Sequence, residues 1–533
     1  MASGGSRKFD ALKDVHRSQM IHLLETDMEG QKDIIFDRDL MKVLDIFLGA
    51  SILRSHGVGK IFTLDKIPPK SDSHRIVYCI ASDLKKLKIV CNHMLSQALC
   101  DKEIHILFVP RFLHVLQVLM EEEGLWDKAK CHEFELGFLP LDDNVLSLES
   151  IGFFTNVFLN KDWTQLRDVA YAVHQLQSIF GKIPDIFTVG EKASKIKHML
   201  DMFEAEIGLS TSAEAEIEAM YLFDRDIDLP AILLSQMSYS GLLDEEFTFK
   251  TGTLEFTNEE GKTHKLMLSA ADEVFQEMRD QNFRTVLDLM KQRTKTLKET
   301  MPKLSGMGVK DMKALLSGPL QSYENKKQAV NLHLTVTETL VKCRPNMYLV
   351  LNAESDILRG ESVKETVTFL QDHICSQRGM VDSVRLAFLY AICQGGVATD
   401  EFLCLKKDLI AAYGAHLLPV FLTLKRLMIE LKSKSRFPIP LAQLRSSFAQ
   451  SLTRKLQLLP IIFQDAEETR SLKFLEELLP ASAFIQRPND NRMHRFVLLV
   501  FIGGVTFAEM AAFRKLGLLK GVSKLDNEDT EEL

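Results

Sequence analysis

Residues 220–247 read MYLFDRDIDLPAILLSQMSYSGLLDEEF, and the fold turns on how this stretch is interpreted. A short apolar run, Tyr221-Leu222-Phe223, predicts a buried strand, and it ends in the charged corner Asp224-Arg225-Asp226-Ile227-Asp228. Carboxylates at the end of a buried strand lose their hydration unless a cation or a donor replaces it. Arg225 can meet a carboxylate through two parallel N–H groups. The expectation is therefore that Asp224, Arg225 and Asp226 are mutually paired and mostly buried. Pro230 is tolerated in the first turn of a helix and predicts a helical segment next. The corner, with Asp228 closing it, is either an active site or a structural brace.

Working outward, 533 residues exceed one hydrophobic core, and about three or four domains are expected from typical domain size. The net charge of −8, with no strongly basic segment, argues against nucleic acid as a partner. The eight cysteines, at 79, 91, 100, 131, 343, 375, 393 and 404, form no CxxC pair. That spacing indicates neither a disulfide framework nor a zinc ribbon, and it fits reduced, mostly buried thiols. The start, MASGGSRKFD, lacks the apolar core of a signal peptide, and Ala2 stands where myristoylation needs glycine. FVLLVFIGGV (496–505) falls well short of the roughly 20 residues that span a bilayer. These features predict a cytoplasmic protein that reaches membranes through partners.

In the first 130 or so residues, DIIFD (33–37), KIFTL (60–64), RIVYCI (75–80) and HILFV (105–109) read as buried strands. Helical segments, 39–56 and 82–99, lie between them, which predicts a parallel, doubly wound α/β domain. A second α/β stretch runs to about Phe247 and contains an amphipathic helix, WTQLRDVAYAVHQLQSIFG, ended by Gly181 and Pro184. From about 269 to 470 the pattern is helical, with Phe283, Val286, Leu287 and Met290 at i, i+3, i+4, i+7 spacing. Ser317-Gly318-Pro319 predicts the bend of an αα-hairpin, with helices over roughly 309–316 and 320–342. Strand character returns at Phe496–Ile502, followed by Gly503-Gly504 and a helix, so the helical part reads as an insertion into the second α/β domain.

Catalytic constellations are scarce. A haloacid-dehalogenase-like phosphatase would use Asp224 as nucleophile and Asp226 as general acid, with magnesium between them. That motif has Thr or Val where Asp228 stands, and Asp142-Asp143 lies upstream rather than downstream. For a nucleotide, His56-Gly57-Val58-Gly59-Lys60 lacks the first glycine and the hydroxyl residue of a P-loop. Gly503-Gly504-Val505-Thr506 places glycines between a strand and a helix, where an anion can bind. The plainer reading is a capping box between Thr506 and Glu509, with glycines that allow close packing. The basic run containing Lys291 and Arg293 reads as a solvated helix face or as one that meets an acidic partner helix.

LFDRDIDLPAILLSQMSYSGLLDEEF resembles the hallmark of the SM family, the syntaxin-binding regulators of SNARE-mediated membrane fusion. ILFVPRF (106–112), IFGKIPDIFTVGEKA (179–193) and FIGGVTFAEMAAFR (501–514) are similar to further segments of that family. LMEEEGL (119–125), SAADEVFQEMRDQNF (269–283) and DSVRLAFLYAICQGGV (382–397) resemble the B-type rather than the A-type of its class C, endolysosomal branch. The resemblance spans roughly 15–430 and 496–514.

It implies a three-domain arch with two parallel-sheet α/β domains and a large, mostly helical inserted domain. Domain 1 would be 1–131, domain 2 would be 132–246 with 471–533, and domain 3 would be 247–470, with its hairpin around 309–342. It further implies a scaffold with no catalytic residues, cofactor or metal, which holds syntaxin-like and vesicle SNARE helices in register. Candidate SNARE-facing residues are Lys291, Arg293, Lys313, Tyr323, Lys326 and Lys327. An α-solenoid class C subunit, VIPAR-like for the B-type, is the implied tethering partner, at the late endosome or lysosome. A nucleotide-regulated adaptor is the remaining alternative.

The sequence departs from the family pattern after about residue 432, where a longer end of domain 3 and a YxxSGxxxPL-like stretch are expected, and after Phe513-Arg514, where a further strand and helix are expected. These departures predict that Phe496–Ile502, a buried strand, is either an edge strand or has a substitute neighbour. A helix over 507–516, capped by Thr506 and packed through Met510 and Phe513, should follow, with disorder beyond Leu519.

Overall fold

Each of the four N-terminal apolar runs forms a strand: β1 Lys32–Phe36, β2 Val58–Thr63, β3 Arg75–Ala81 and β4 Glu103–Val109. A fifth, β5 Ala129–Glu133, completes an all-parallel sheet of order β2-β1-β3-β4-β5. Successive side chains go to opposite faces. Ile34, Phe36, Val77, Cys79, Leu107 and Val109 enter one core. Ile35, Ile76, Tyr78, Ile80, Ile106 and Phe108 enter the other. Both faces of the inner strands β1, β3 and β4 are covered, which is why these are almost continuously buried and rich in apolar residues. Helices Leu84–Met94 and His114–Glu122 close the second core through Leu87, Val90, Leu116 and Met120, and helix Asp10–Thr26 supplies Met20 and Leu24 to the first. The single helix expected over 39–56 is two, Arg38–Leu44 and Ala50–Ser55, separated by a break over 45–49 in which Phe47 and Leu48 are buried.

The computed structural model describes residues 9–96, 101–150, 152–208, 215–247, 252–257, 261–268, 272–299, 319–344, 347–360, 362–393, 400–425 and 496–515. The chain divides into two compact units, 1–157 with 161–222 and 494–500, and 158–160 with 223–493 and 501–533. The first unit holds the five-stranded sheet. It also holds an antiparallel hairpin of β6 Leu139–Asp142 and β7 Val145–Ser147, and the amphipathic helix Thr164–Phe180. That helix stops at Gly181, whose φ of +89° is a conformation that side chains rarely adopt. Its neighbour is helix Glu191–Glu206. A second sheet has the order β12-β9-β8, where β8 is Asp185–Val189, β9 is Ile217–Asp224 and β12 is Phe496–Ile502. The run at 220–224 is thus the central strand of this sheet. Among the described residues β12 is an edge strand, and it is less buried than expected: Phe496 and Val497 are each 44% exposed, and only Ile502 is fully buried. The family-expected continuation after 432 and the tail beyond 519 lie outside the described residues.

The second unit is mainly helical, with one addition. β10 Thr253–Thr257 and β11 Thr263–Met267 form an antiparallel hairpin ahead of the helical pattern. Their signal was present, since Thr253-Leu254-Glu255-Phe256-Thr257 alternates with period two and puts Leu254 and Phe256 into the core. The amphipathic stretch at 269–299 is two helices, Glu273–Met278 and Phe283–Glu299, and it is followed by helix Pro319–Cys343. Leu242, Phe256, Val286, Met290, Val336 and Leu340 share one core. Within it the buried His333 bridges Tyr239 Oη at 2.9 Å and Asp272 Oδ2 at 3.0 Å. Helices Met347–Arg359, Val363–Cys375, Met380–Cys393 and Asp400–Tyr413 build another core around Ile357, Leu370, Leu386 and Leu405. The first hairpin helix expected at 309–316, the bend at Ser317-Gly318 and Lys313 lie outside the described residues.

Candidate functional site

β9 ends at Asp224, and a single 3-10 turn, Arg225–Ile227, turns the chain away from the strand. Asp224 and Arg225 are buried, 4% and 3% exposed. Asp226 is half-buried and Ile227 lies in solvent. The guanidinium of Arg225 makes a two-pronged pair with Glu509, 284 positions along the chain: Nη1 donates to Oε2 and Nη2 to Oε1, both at 3.0 Å. Nη2 and Nε also donate to the carbonyl of Asp228, at 2.8 and 3.1 Å, and Nη1 to the carbonyl of Gly504, at 3.3 Å. The ring of Phe501 lies 5.7 Å from the guanidinium carbon. The bidentate partner of Arg225 is therefore Glu509, not the adjacent Asp224 and Asp226 expected from the sequence. Position in the chain does not reveal it, because the partner arrives on a helix from beyond the insertion.

Glu509 has a second task. Its Oε2 accepts from the Thr506 amide at 2.9 Å and from the Thr506 hydroxyl at 3.0 Å, while the Glu509 amide donates to Thr506 Oγ1 at 3.2 Å. This is the expected capping box at the start of the helix over 507–515. One carboxylate thus caps that helix and neutralises Arg225. Gly503 and Gly504 have φ of +109° and +107°, and a Cβ on Gly503 would stand 2.8 Å from the Phe158 ring and 3.0 Å from Arg225 Cβ. Close packing against the arginine accounts for the glycine at 503, and Arg225 already holds the carbonyl of Gly504.

Asp228 accepts from the amide of Ala231 at 3.2 Å, fixing the short turn Pro230–Leu233. Burial pushes its carboxyl up to about 6, with Arg225 lowering it and Glu509 raising it. The helix expected after Pro230 is only this turn. The chain then extends to Ser238 before helix Tyr239–Phe247. That extended link is pinned by two further buried side chains absent from the sequence reading. Glu354 accepts from the amide and hydroxyl of Ser235, at 3.1 and 2.7 Å, and from Arg385 Nη1 at 2.7 Å. Gln236 Oε1 accepts from the amide of Ala508 at 2.9 Å. Chemically the corner resembles a clasp, because the Arg225 guanidinium and the Glu509 and Asp228 carboxylates are spent on one another and on backbone groups.

The other expected site residues stand apart from this clasp. Tyr323 Oη donates to the carbonyl of Leu297 at 3.2 Å. Lys291 pairs with Asp288 at 3.2 Å, and Arg293 Nε donates to Glu277 at 2.8 Å. Lys326 lies 3.4 Å from Glu273 and Lys327 3.6 Å from Glu324. All four basic side chains are solvent-exposed, so their ion pairs are screened and open to exchange. The glycines of the P-loop-like segment have a packing reason. A Cβ on Gly57 would meet the Gly30 carbonyl at 2.9 Å, and one on Gly59 would meet Asp33 Oδ1 at 2.9 Å. Among the described residues no group of three or more His, Cys, Asp or Glu side chains is gathered as a metal would need, and no helix is long and apolar enough to cross a membrane.

Comparison with known proteins agrees with this picture. The chain matches the Sec1 family over residues 32–523. It is similar to vacuolar protein sorting-associated protein 33B of Homo sapiens, 27% identical over 96% of this chain and 94% of the relative. It is also similar to the vacuolar protein-sorting-associated protein 33 homolog of Arabidopsis thaliana, 25% identical over 96% and 93%. In fold it resembles the SM protein Vps45 solved in complex with the Qa SNARE Tlg2, with a TM-score of 0.58, 16% identity and coverage of 94% of this chain and 97% of that one. A second fold match is the Unc18–syntaxin 1 complex from Monosiga brevicollis, with a TM-score of 0.54, 15% identity and coverage of 95% and 99%. With two α/β sheet regions, a mainly helical remainder and a family match across nearly its whole length, the chain belongs to the Sec1, or SM, family.

Proposed function

We propose that this protein is a non-catalytic regulator of vesicle docking and SNARE-mediated fusion in endosome and lysosome trafficking. The observation that carries this reading is the family match over 32–523, together with relatives that are matched over more than nine-tenths of their own length. Fold neighbours solved with a Qa SNARE or with syntaxin support SNARE helices as the ligand class. A corner whose arginine is consumed in a clasp with Glu509 and backbone carbonyls supports a structural role for it.

The physical logic is that of a template. SNARE segments are disordered alone, and ordering two of them on one preformed surface removes part of the entropy cost of their zippering. The proposed division is domain 1 at 1–131, domain 2 at 132–246 with 471–533, and domain 3 at 247–470. The exposed basic residues Lys291, Arg293, Lys326 and Lys327, with Tyr323 and Lys313, are proposed as SNARE-facing. An α-solenoid, VIPAR-like class C subunit is the proposed second partner and the route to the late endosomal or lysosomal membrane.

A co-precipitation with purified components tests the reading. Immobilised full-length chain should retain the SNARE motifs of endosomal syntaxins, and separately the VIPAR-like subunit. Retention of neither would remove the reading. Retention of the subunit alone would remove the SNARE part.

A further inference from the structure

The helical unit holds a cavity that the SNARE reading does not use. Its volume is about 280 Å³, and its lining comes from the end of helix Pro319–Cys343, from helices Met347–Arg359, Val363–Cys375 and Met380–Cys393, and from Ser235. One wall is apolar, made by Met347, Leu349, Val350 and Phe369. The lining also carries Arg344, Arg378, Arg385 and His373, with Asp382 as its one acid.

The three arginines are held differently. Arg385 is fixed by the Leu233 carbonyl at 2.5 Å, Glu354 at 2.7 Å and Ser235 Oγ at 2.9 Å. Arg344 is held by Glu245 at 2.8 Å and Glu246 at 3.1 Å. None of these three carboxylates lines the cavity. Arg378 is exposed and has no acidic partner among the described residues. Its loop is set by the Arg378 amide on the His373 carbonyl at 3.4 Å and by the Gln377 side chain on the Ala412 carbonyl at 2.9 Å. Asp382 leans to its own helix neighbour Arg385 at 3.5 Å. Two braced arginines and one without an acidic partner thus share the lining of a small cavity with apolar side chains.

We propose that this cavity is a binding site for a small amphipathic oxyanion, a carboxylate or phosphate monoester that carries a short apolar or aromatic group. Planar guanidinium donors match oxyanion geometry, and braced ones lose little freedom when they bind. The apolar wall takes the organic part. The volume sets the size: small-molecule sites typically run to about 300–1,000 Å³, so the occupant is a compact group rather than a dinucleotide. The proposal does not depend on SNARE binding.

The test uses full-length protein with methyl-labelled methionine, where Met347 is identified by its loss in Met347→Leu. Phenyl phosphate, benzoate, inorganic phosphate and benzyl alcohol are titrated in turn. Phenyl phosphate or benzoate should shift the Met347 methyl saturably and bind more tightly than inorganic phosphate or the neutral alcohol. The stronger of the two names the oxyanion. Arg378→Ala removes an exposed side chain without an ion-pair partner, so it should leave the melting temperature unchanged and weaken binding about tenfold, as expected for one charge-assisted contact. Val350→Phe should block binding by filling the apolar side. An absent or non-saturating shift, equal binding of the alcohol, or full affinity in Arg378→Ala would each overturn the proposal.

Discussion

In the N-terminal sheet, neighbouring strands meet through apolar side chains that are interchangeable in kind, such as Val77, Cys79 and Leu107 on one face and Ile76, Ile80 and Ile106 on the other. At the charged corner, Arg225 depends on one specific partner, Glu509, brought from 284 positions away. Loss of a residue in the sheet subtracts contacts and leaves a cavity. Loss of one at the corner leaves a buried charge without compensation, and the two penalties differ in origin as well as size. A corner built this way demands that the chain return after the insertion, so the clasp couples folding of the segment after 496 to the strand that ends at Asp224.

The comparison breaks most sharply at Arg225. Arg225→Ala should destabilise the second unit by about 3–5 kcal/mol, because Glu509 is then buried and unpaired. Arg225→Met with Glu509→Leu should recover most of that loss. A denaturant titration of the two variants decides it, and equal instability would mean that packing rather than charge compensation dominates. Next in size, Ile106→Ala in the N-terminal sheet should cost about 2–4 kcal/mol through a cavity, with no rescue by any charge change. Thr506→Ala removes the reciprocal cap and should cost about 1 kcal/mol, read as a lower melting temperature.

The smallest effect is in pH. Burial, opposed by Arg344 and Arg385, pushes the Glu245 carboxyl up to about 7 from an unfolded value near 4.5. A raised acid binds its proton more tightly when folded. Its stabilising share is therefore complete below about 4.5 and lost as pH rises through about 7. Glu245→Gln should flatten that part of the stability–pH curve. An unchanged slope would place the titration on another group, such as Asp168 or Asp228, both pushed up to about 6.

The legible parts of the fold are those whose signal is local. Continuous apolar runs marked β1 to β4, and Gly181 marked the end of the long helix. β5 escaped because Ala129-Lys130-Cys131-His132-Glu133 is a half-buried edge strand with no apolar run. The β10–β11 hairpin escaped although its alternation was visible. At the corner, residue types showed that Arg225 needed a carboxylate, and Thr506-x-x-Glu509 showed a cap. That the same glutamate serves both is a fact of three dimensions. Glu354 and Arg385 gave no sign of their role, since lone charged residues on helices usually face solvent.

If the charged corner is a brace, function lies in binding SNARE helices. Calorimetric titration of a Qa-type SNARE motif into the full-length chain, and into Lys326→Glu with Lys327→Glu, tests it most directly. The native chain should bind saturably and the variant about tenfold more weakly, at an unchanged melting temperature, since both lysines are exposed. A native chain that takes up no SNARE motif would rule out SNARE binding as its function.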